Sequence, residues 1–405
     1  MKKLPLSALF AVLLLLNSCG SSSEDATIVK IKDIYGGVKS VLAPDGRSKV
    51  FEVNVDKIGG DYVLRGATND ANCKDSLLEA LSANNVAVLD SIRLLPSADL
   101  GDKLYGVTAQ SVINFRTRGS YSAESATQTM MGTPVRILEK RDGWTRAITP
   151  EGYIAWVSSP SLAYMDEAEF RAYQDADKVV VTDKYITMYE KPSASSQMVS
   201  DAVWGNILLD LGNAGAWKKV AIADGREGYV PRSSVQDFDT WLKQRNPTAD
   251  NIIKTAKQFI GVPYMWGGTS IKAVDCSGFT KSTYYLNGLI LARDASQQCY
   301  TGDDVDIKQY TDGEYTLDAL KNLKKGDLIF FGSKATPEKK ERITHVGIYI
   351  EDGIFIHSAG KVRINSLIPD ADNYYTGSVR LVRAQRILGN QDCGKGIVSM
   401  NTIYE

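Results

Sequence analysis

The stretch from Val274 to Thr280, which reads VDCSGFT, predicts a loop that turns directly into a helix. Residues 270–275 have a loop-like composition, Asp275 is a good N-cap, and residues 277–286 can form a helix with apolar side chains on one face. Such a turn places the thiol of Cys276 at the N-terminus of the helix, where unpaired N–H groups favour the thiolate. We therefore expect Cys276 to be a nucleophile with a lowered pKa.

A thiol nucleophile needs a base, and the chain contains only two histidines, His345 and His357. Each lies on a β-rich run, and the turn at 351–353 joins the two runs into a predicted hairpin. Because the rings can approach each other on one face of a hairpin, we expect His345 to be the base and His357 to orient it. A lone cysteine or histidine is more often structural, but the position of both histidines downstream of the helix-start cysteine favours the catalytic interpretation.

Six motifs in this part of the chain resemble the NlpC-type cell-wall peptidases, which are papain-like cysteine endopeptidases of bacterial peptidoglycan. In order, the motifs are GVPYMWGG from 261, DCSGF from 275, RDASQQ from 293, GDLIFF from 326, HVGIY from 345 and FIHS from 355. The resemblance implies a papain-like α+β domain over residues 247–390, with catalytic Cys276, His345 and His357. It implies no metal and no cofactor.

The length and charge of the whole chain agree with a multidomain α+β protein. A chain of 405 residues predicts two to four domains, each able to bury its own core. A formal net charge of −1 creates no positive field that would attract a polyanion, so we do not expect a nucleic-acid partner. The five cysteines are irregularly spaced without a CxxC pair, which indicates neither a disulfide scaffold nor a zinc site.

The N-terminus has the pattern of an export signal, which we assign to residues 1–19. Two lysines precede an apolar run too short to span a membrane comfortably, and the segment LNSC that ends at Cys19 resembles a bacterial lipobox. Cys19 would then be lipidated and anchor the protein in the cell envelope, facing the periplasm or exposed at the surface. The alternative is ordinary cleavage nearby, with Cys19 incidental.

Residues 20–103 carry no recognisable chemistry, and we expect a small α+β domain that acts as a spacer or packing module. Residues 49–55 and 62–65 predict a hairpin around Gly59-Gly60, residues 74–83 an amphipathic helix, and residues 86–95 a further strand. Cys73 is interpreted as a buried or partly exposed thiol.

An internal repeat follows, with one copy at 112–162 and another at 186–235. Both copies show short β-rich runs, a Trp-containing strand and a Gly-Tyr pair, which predicts two small barrels. They resemble bacterial SH3-like domains, with bounds that we place at 104–165 and 177–237. We expect helices between the copies, at 166–177, and after the second copy, at 238–245.

The loop at 122–132 of the first copy resembles that of the NlpC-type enzymes that recycle wall peptides. In that subgroup, an acid and a tyrosine of the first barrel hold the free amine of an N-terminal L-alanine. The matching positions are Glu124, expected in a closed pocket, and Tyr153. Asp275 is expected to join Glu124 at the amine.

The resemblance assigns further residues to the substrate. Ser277 and Ser296 are expected to bind the α-carboxylate of D-Glu, and the hydroxyl of Tyr264 is expected to face the oxyanion together with the Cys276 N–H. Trp266 is assigned to the substrate site. For Tyr264, Trp266 and Ser296 the alternative is loop packing.

The sequence therefore predicts a monomeric γ-D-glutamyl-L-diamino acid endopeptidase for murein peptides with a free N-terminal L-alanine. A general stem-peptide hydrolase, an acyltransferase or amidase on the same scaffold, and a non-catalytic wall-binding lipoprotein are the alternatives. The identity of the diamino acid and any pairing among Cys73, Cys299 and Cys393 stay open.

Overall fold

The computed structural model describes residues 25–307 and 315–404. Along the chain these residues form an N-terminal unit with a three-stranded sheet, two seven-stranded sheets, and a C-terminal domain around a six-stranded sheet. No helix in the described part of the chain is long and apolar enough to cross a bilayer. The predicted signal peptide and Cys19 lie outside the described residues.

The N-terminal unit comprises α1 (Ala26–Leu42), β1 (Phe51–Ile58), β2 (Asp61–Thr68), α2 (Ala71–Ala83) and β3 (Leu89–Leu94). Strands β1 and β2 form the predicted hairpin, and β3 adds to β2 in parallel. Helix α1 was not predicted, because Gly36-Gly37 lowers the helix propensity in its middle. It begins at Asp25, whose side chain accepts from the Thr27 N–H at 2.9 Å.

The first sheet comprises β4 (Tyr105–Thr108), β5 (Val112–Arg116), β6 (Ser125–Met130), β7 (Pro134–Arg141), β8 (Trp144–Ile148), β9 (Ile154–Ser158) and β10 (Leu162–Met165). The second sheet comprises β11 (Lys178–Val181), β12 (Tyr185–Tyr189), β13 (Met198–Val203), β14 (Ile207–Ala214), β15 (Trp217–Ala221), β16 (Glu227–Pro231) and β17 (Val235–Asp237). Helix α3 (Glu167–Asp175) lies between the sheets, and α4 (Phe238–Lys243) follows the second.

The internal repeat is visible in the strand order of these sheets. The first has the order β10-β4-β7-β8-β9-β5-β6, and the second, written in the same direction, has the order β17-β11-β14-β15-β16-β12-β13. The two orders coincide position by position. Neither order returns to its first strand, so the expected closure into barrels is not shown. In the first sheet the free edge at β6 is used for docking, because Thr269 of the C-terminal domain donates its N–H and hydroxyl to Gln128 at 2.9 and 2.8 Å.

The C-terminal domain begins with α5 (Ala249–Lys257), β18 (Thr269–Ser270), β19 (Ala273–Val274), α6 (Cys276–Tyr285), β20 (Leu289–Leu291), α7 (Ala295–Gln298) and β21 (Asp303–Val305). It continues with β22 (Leu328–Ser333), β23 (Arg342–Glu351), β24 (Ile354–Ala359), β25 (Lys361–Ser366), β26 (Leu381–Arg386), β27 (Ile397–Ser399) and α8 (Asn401–Tyr404). The six-stranded sheet is antiparallel, with the order β21-β26-β22-β23-β24-β25. Helix α6 packs on this sheet, since Phe279 shares one core with Val346 and Ile356.

The packed chain continues beyond residue 390, where we expected the domain to end. Strand β27 pairs with β20, and Tyr404 of α8 packs edge-on against Phe238 of α4 with ring centroids 5.1 Å apart. The last residues therefore tie the C-terminal domain to the helix that follows the second sheet.

Further contacts hold the first sheet against its neighbours. Lys281 of α6 pairs with Glu151 of the β8–β9 turn at 2.7 Å, and both side chains are largely buried. On the other side, the Arg47 carbonyl of the N-terminal unit accepts from the Ile154 N–H at 2.6 Å. Because α6 begins at Cys276, these contacts fix parts of three domains around the thiol.

Candidate active site

Cys276 is the first residue of α6, as the sequence predicts. Asp275 caps the helix by accepting from the Gly278 N–H at 2.7 Å. The helix start is pressed against the preceding loop, because a Cβ on Gly278 would lie only 1.8 Å from the Gly268 carbonyl oxygen. Only glycine fits there, and the thiol is held in place with 7% of the residue exposed.

The carboxylate of Asp275 accepts hydrogen bonds from several groups of the protein itself. The N–H groups of Gly267 and Gly278 donate to it at 2.8 and 2.7 Å. Nη1 and Nη2 of the buried Arg293 donate at 3.1 and 2.5 Å, and the Ser277 hydroxyl donates at 3.3 Å. These bonds leave Asp275 little capacity to bind a substrate amine, the role expected from the resemblance. The same applies to the Ser277 hydroxyl, which also accepts from Arg293 Nη1 at 2.9 Å.

The expectation of a lowered thiol pKa is wrong for this structure. Burial raises the pKa of Cys276 to about 12, the nearby Asp275 carboxylate acts in the same direction, and the N–H groups of Val346 and Ser277 only oppose it in part. Burial likewise lowers the pKa of His345 to about 3. Both shifts favour an uncharged thiol and an uncharged imidazole in the free protein.

The two histidine rings meet on the predicted hairpin. His345 Nε2 lies 2.7 Å from Nδ1 of the fully buried His357. A hydrogen bond from the Val346 N–H lowers the pKa of the thiol, so the sulfur lies beside β23, the strand that carries His345. Since Nε2 of His345 is occupied by His357, Nδ1 is the nitrogen left to face the thiol.

Asn365 of β25 completes this chain of hydrogen bonds and was missed in the sequence. Its Nδ2 donates to the Asn373 carbonyl at 2.7 Å, which turns its Oδ1 toward His357 Nε2 at 3.0 Å. His357 therefore carries its proton on Nε2, and its Nδ1 accepts from His345 Nε2–H. Nδ1 of His345 is left with a lone pair, as a base for Cys276 requires. The one feature of the sequence that could have indicated Asn365 is its position on the strand that follows the histidine hairpin.

A cavity of about 420 Å³ opens at the thiol and is lined by parts of three domains. Beside Cys276 it collects these residues predicted for the substrate site: Glu124, Tyr153, Trp266, Asp275, Ser277 and Ser296. Glu124 is exposed at the cavity wall, so the expectation of a closed pocket around it is wrong. Trp266, 61% exposed, stands at the rim.

Tyr264 is not among the residues that line the cavity. Burial raises the pKa of Tyr264 to about 12, with a smaller effect of the nearby Cys276. Its hydroxyl therefore stays protonated near the thiol. No group of three or more His, Cys, Asp or Glu side chains in residues 25–307 and 315–404 is arranged to hold a metal ion.

Arg47 of the N-terminal unit also lines the cavity, although the sequence indicated no chemistry in that segment. Its Nη1 donates to Asp294 Oδ2 at 2.7 Å and to Ser296 Oγ at 2.9 Å, and its Nε donates to Asp45 at 2.8 Å. Burial, and next the Asp294 carboxylate, raise the pKa of Tyr153. Asp294 could have been suspected from its motif RDASQQ, but nothing in the sequence around Arg47 connects it with this site.

Comparison with known proteins gives the class of the molecule. Residues 261–381 match the model of the NlpC/P60 family, and residues 115–162 match that of the bacterial dipeptidyl-peptidase Sh3 domain. The chain therefore contains an NlpC/P60 domain and a bacterial SH3 domain. The match identifies its C-terminal part as a cysteine peptidase domain of the NlpC/P60 family.

Two curated relatives align with most of their length. A γ-D-glutamyl-L-lysine dipeptidyl-peptidase of Bacillus cereus is 29% identical over 290 residues, which is 69% of this chain and 81% of the relative. Dipeptidyl-peptidase 6 of Lysinibacillus sphaericus is 26% identical over 259 residues, 60% of this chain and 85% of the relative.

Two solved structures have a similar fold. An NlpC/P60 family protein from Bacillus cereus has a TM-score of 0.57 at 24% identity and covers 70% of this chain and 99% of its own. An NlpC/P60 endopeptidase from Photobacterium damselae subsp. piscicida has a TM-score of 0.52 at 15% identity and covers 88% and 91%.

The raised thiol pKa predicts how alkylation of Cys276 depends on pH. Because the pKa of about 12 lies far above neutrality, the thiolate fraction, and with it the iodoacetamide rate, should rise about tenfold per pH unit between about pH 6 and pH 9. The rate is measured by mass spectrometry of the Cys276 peptide, with the exposed Cys393 as internal reference. A rate that is already constant across this range would indicate a preformed thiolate–imidazolium pair instead.

The hydrogen bond from His357 to Asn365 predicts a positioning role for this asparagine. Asn365→Ala frees the His357 ring to adopt the other tautomer, so kcat should fall about tenfold to a hundredfold while KM changes less than about twofold. Asn373→Ala is the matched control, because it keeps the backbone carbonyl to which Asn365 donates. Equal activity of both variants and the native protein would mean that packing alone orients the histidines.

Proposed function

We propose that the protein is a cysteine endopeptidase that hydrolyses the bond between γ-D-Glu and the L-diamino acid of murein peptides with a free N-terminal L-alanine. The observation that carries the proposal is the cavity that joins Cys276 to the carboxylates of Glu124 and Asp294. An ammonium group can pair with the Glu124 carboxylate beside the Asp294–Arg47 pair, while the γ-carbonyl of D-Glu, one residue further along the peptide, reaches the thiol. The printed names of the relatives, a γ-D-glutamyl-L-lysine dipeptidyl-peptidase among them, support the same bond.

In the proposed reaction, His345 Nδ1 takes the thiol proton as Cys276 Sγ attacks the γ-carbonyl carbon of D-Glu. The Cys276 N–H and the Tyr264 hydroxyl stabilise the oxyanion of the tetrahedral intermediate. His345 then gives the proton to the departing amine of the diamino acid, which leaves a thioester on Cys276. Water, activated by His345, hydrolyses the thioester and releases L-Ala-γ-D-Glu.

Because the thiol and imidazole are uncharged at the start, the proton transfer accompanies the attack and does not precede it. His357 stabilises the imidazolium that forms on His345, since its Nδ1 accepts from His345 Nε2–H throughout. Asn365 holds His357 in the tautomer that makes this possible.

The remaining residues position the substrate in this proposal. Glu124 binds the ammonium, and Asp294 and Tyr153 stand beside it. Ser296 binds the α-carboxylate of D-Glu, because its oxygen accepts from Arg47 and its own proton is free to donate. Trp266 covers the peptide at the rim.

A general stem-peptide hydrolase is the second candidate, and the exposure of Glu124 favours it. An exposed carboxylate is still hydrated when the amine of the substrate is blocked, so it rejects such a substrate less strongly than a buried carboxylate would.

The family acts on peptidoglycan, which implies action in the cell envelope. We further propose that Cys19 carries a lipid that anchors the protein with the described domains facing the periplasm. The second sheet has a structural role in this proposal, and the protein acts as a monomer.

The role of Glu124 predicts a preference for free amines. N-acetylation removes the charge that Glu124 binds, and a charge-assisted hydrogen bond contributes about 1.5–3 kcal/mol. Native protein should therefore cleave L-Ala-γ-D-Glu-diaminopimelate about tenfold to a hundredfold faster, in kcat/KM, than its N-acetylated form. Mass spectrometry of the products gives both rates.

Glu124→Gln should reduce this preference by lowering cleavage of the free-amine peptide only. Glu190→Gln, an exposed carboxylate of the second sheet, is the control. If native protein cleaved both peptides equally, the proposed substrate range would have to include intact peptidoglycan.

The position of Arg47 predicts that the N-terminal unit contributes to substrate binding. Arg47→Met keeps the aliphatic length but removes the donor to Asp294 and Ser296, so KM should rise about twofold to tenfold with little change in kcat. Arg65→Met, an exposed arginine of the same unit, is the control. An unchanged KM would mean that the N-terminal unit is only a spacer, as its sequence suggests.

A further inference from the structure

A groove separate from the cavity at Cys276 lies where the second sheet meets the C-terminal domain, and we call it the junction groove. Its walls are the β11–β12 turn and Trp204 of the second sheet, the segment that follows α4, helix α5, and Asn287 at the end of α6. Its volume of about 560 Å³ exceeds the volume of about 420 Å³ of the cavity at Cys276. Since Cys276 begins α6 and Asn287 follows its last turn, the rise of the helix separates the two sites by about 16 Å.

The junction groove carries positive charge that the protein does not neutralise. Lys184, Arg245 and Lys254 line it, and no Asp or Glu among the described residues does. None of these three cations forms an ion pair within residues 25–307 and 315–404. The acidic residue of α5, Asp250, pairs instead with Lys325 at 3.1 Å. The groove therefore favours an anionic ligand.

Two polar side chains of the groove are positioned for hydroxyl groups. Asn287 is only 5% exposed, and its Nδ2 donates to the Thr255 hydroxyl at 3.0 Å and to the Thr283 carbonyl at 2.8 Å. Its Oδ1 accepts no hydrogen bond from the part of the chain that the structure describes. The Thr255 hydroxyl accepts from Asn287, which leaves its own proton free to donate. A fixed acceptor beside a fixed donor matches a hydroxyl-rich ligand.

Trp204 supplies an apolar surface in the same groove. Its ring is partly exposed and stacks on the buried Phe259, with ring centroids 5.8 Å apart and an interplanar angle of 26°. This contact holds the indole in one orientation. A sugar ring has C–H groups on its face and hydroxyls at its edge, so it can pack on the indole while its edge forms hydrogen bonds.

We infer that the junction groove binds an acidic saccharide, with the sugar ring on Trp204, its hydroxyls at Thr255 and Asn287, and its acid group at Lys184 and Lys254. Three cations are few for a nucleic-acid strand, whose binding depends on many phosphate contacts. The inference goes beyond the proposed function and does not depend on it, because the groove lies at the end of α6 away from the thiol.

The test measures sugar binding to the full-length protein by saturation-transfer difference NMR. The probes are N-acetylmuramic acid, which carries a carboxylate, a phosphate ester of N-acetylglucosamine, and N-acetylglucosamine itself, which carries no charge. Native protein should bind at least one acidic sugar about tenfold or more tightly than the neutral sugar, because hydrogen bonds to a charged group are the stronger ones. The acidic sugar that binds more tightly identifies the acid group. Since Lys184 and Lys254 are exposed, added salt should reduce the preference.

Lys254→Gln should reduce the preference for the acidic sugar several-fold. Thr255→Val should weaken the binding of acidic and neutral sugars alike, because it removes a hydroxyl and no charge. Lys257→Gln, an exposed lysine of the same helix that does not line the groove, is the matched control. All three variants should cleave L-Ala-γ-D-Glu-diaminopimelate at the native rate.

Equal binding of acidic and neutral sugars, no saturable binding of any sugar, or a preference that Lys254→Gln leaves unchanged would overturn the inference. Inorganic phosphate that binds as tightly as the acidic sugars would show a site for anions alone and would overturn the saccharide assignment. Each of these results leaves the proposed function standing, because peptide cleavage is measured separately.

Discussion

The ion pair between Asp275 and Arg293 is the interaction on which the site depends. It caps the helix that carries Cys276, binds the Gly267 N–H of the preceding loop, and reaches Ser277 through Arg293. Removal of one partner of such a buried pair typically costs about 3–5 kcal/mol, because the other charge is left without a partner. The pair fixes the position of the thiol, yet the negative charge of the Asp275 carboxylate also raises the pKa of that thiol. In the proposed mechanism, this pair therefore positions the thiol and the histidines activate it.

The histidine pair acts through the placement of protons. The hydrogen bond from Asn365 Nδ2 to the Asn373 carbonyl fixes the orientation of one amide, the amide fixes the tautomer of His357, and His357 fixes the tautomer of His345. Burial lowers the pKa of both histidines, so neither ring is charged before the substrate arrives, which avoids the cost of burying an ion without a partner. In the proposed reaction, the charge that forms on His345 is stabilised by hydrogen bonds that already exist.

The sequence predicted those features that depend on local pattern. The N-cap at Asp275, the helix after it, the hairpin with both histidines and the repeat of the two sheets follow from residues close together in the chain. The exposure of Glu124 and the raised pKa of Cys276 depend on how distant segments pack. Arg47 is the clearest case, because it meets Asp294 across 247 positions of the chain, and no pattern near either residue reveals the contact.

The cavity at Cys276 has walls from the N-terminal unit, the first sheet and the C-terminal domain. The cavity is therefore complete only when these three parts have folded and docked. A chain that is still unfolded, or that has been clipped ahead of the first sheet, lacks part of the groove that holds a peptide against the sulfur. A complete cavity thus requires an intact N-terminal unit, first sheet and C-terminal domain in the same molecule.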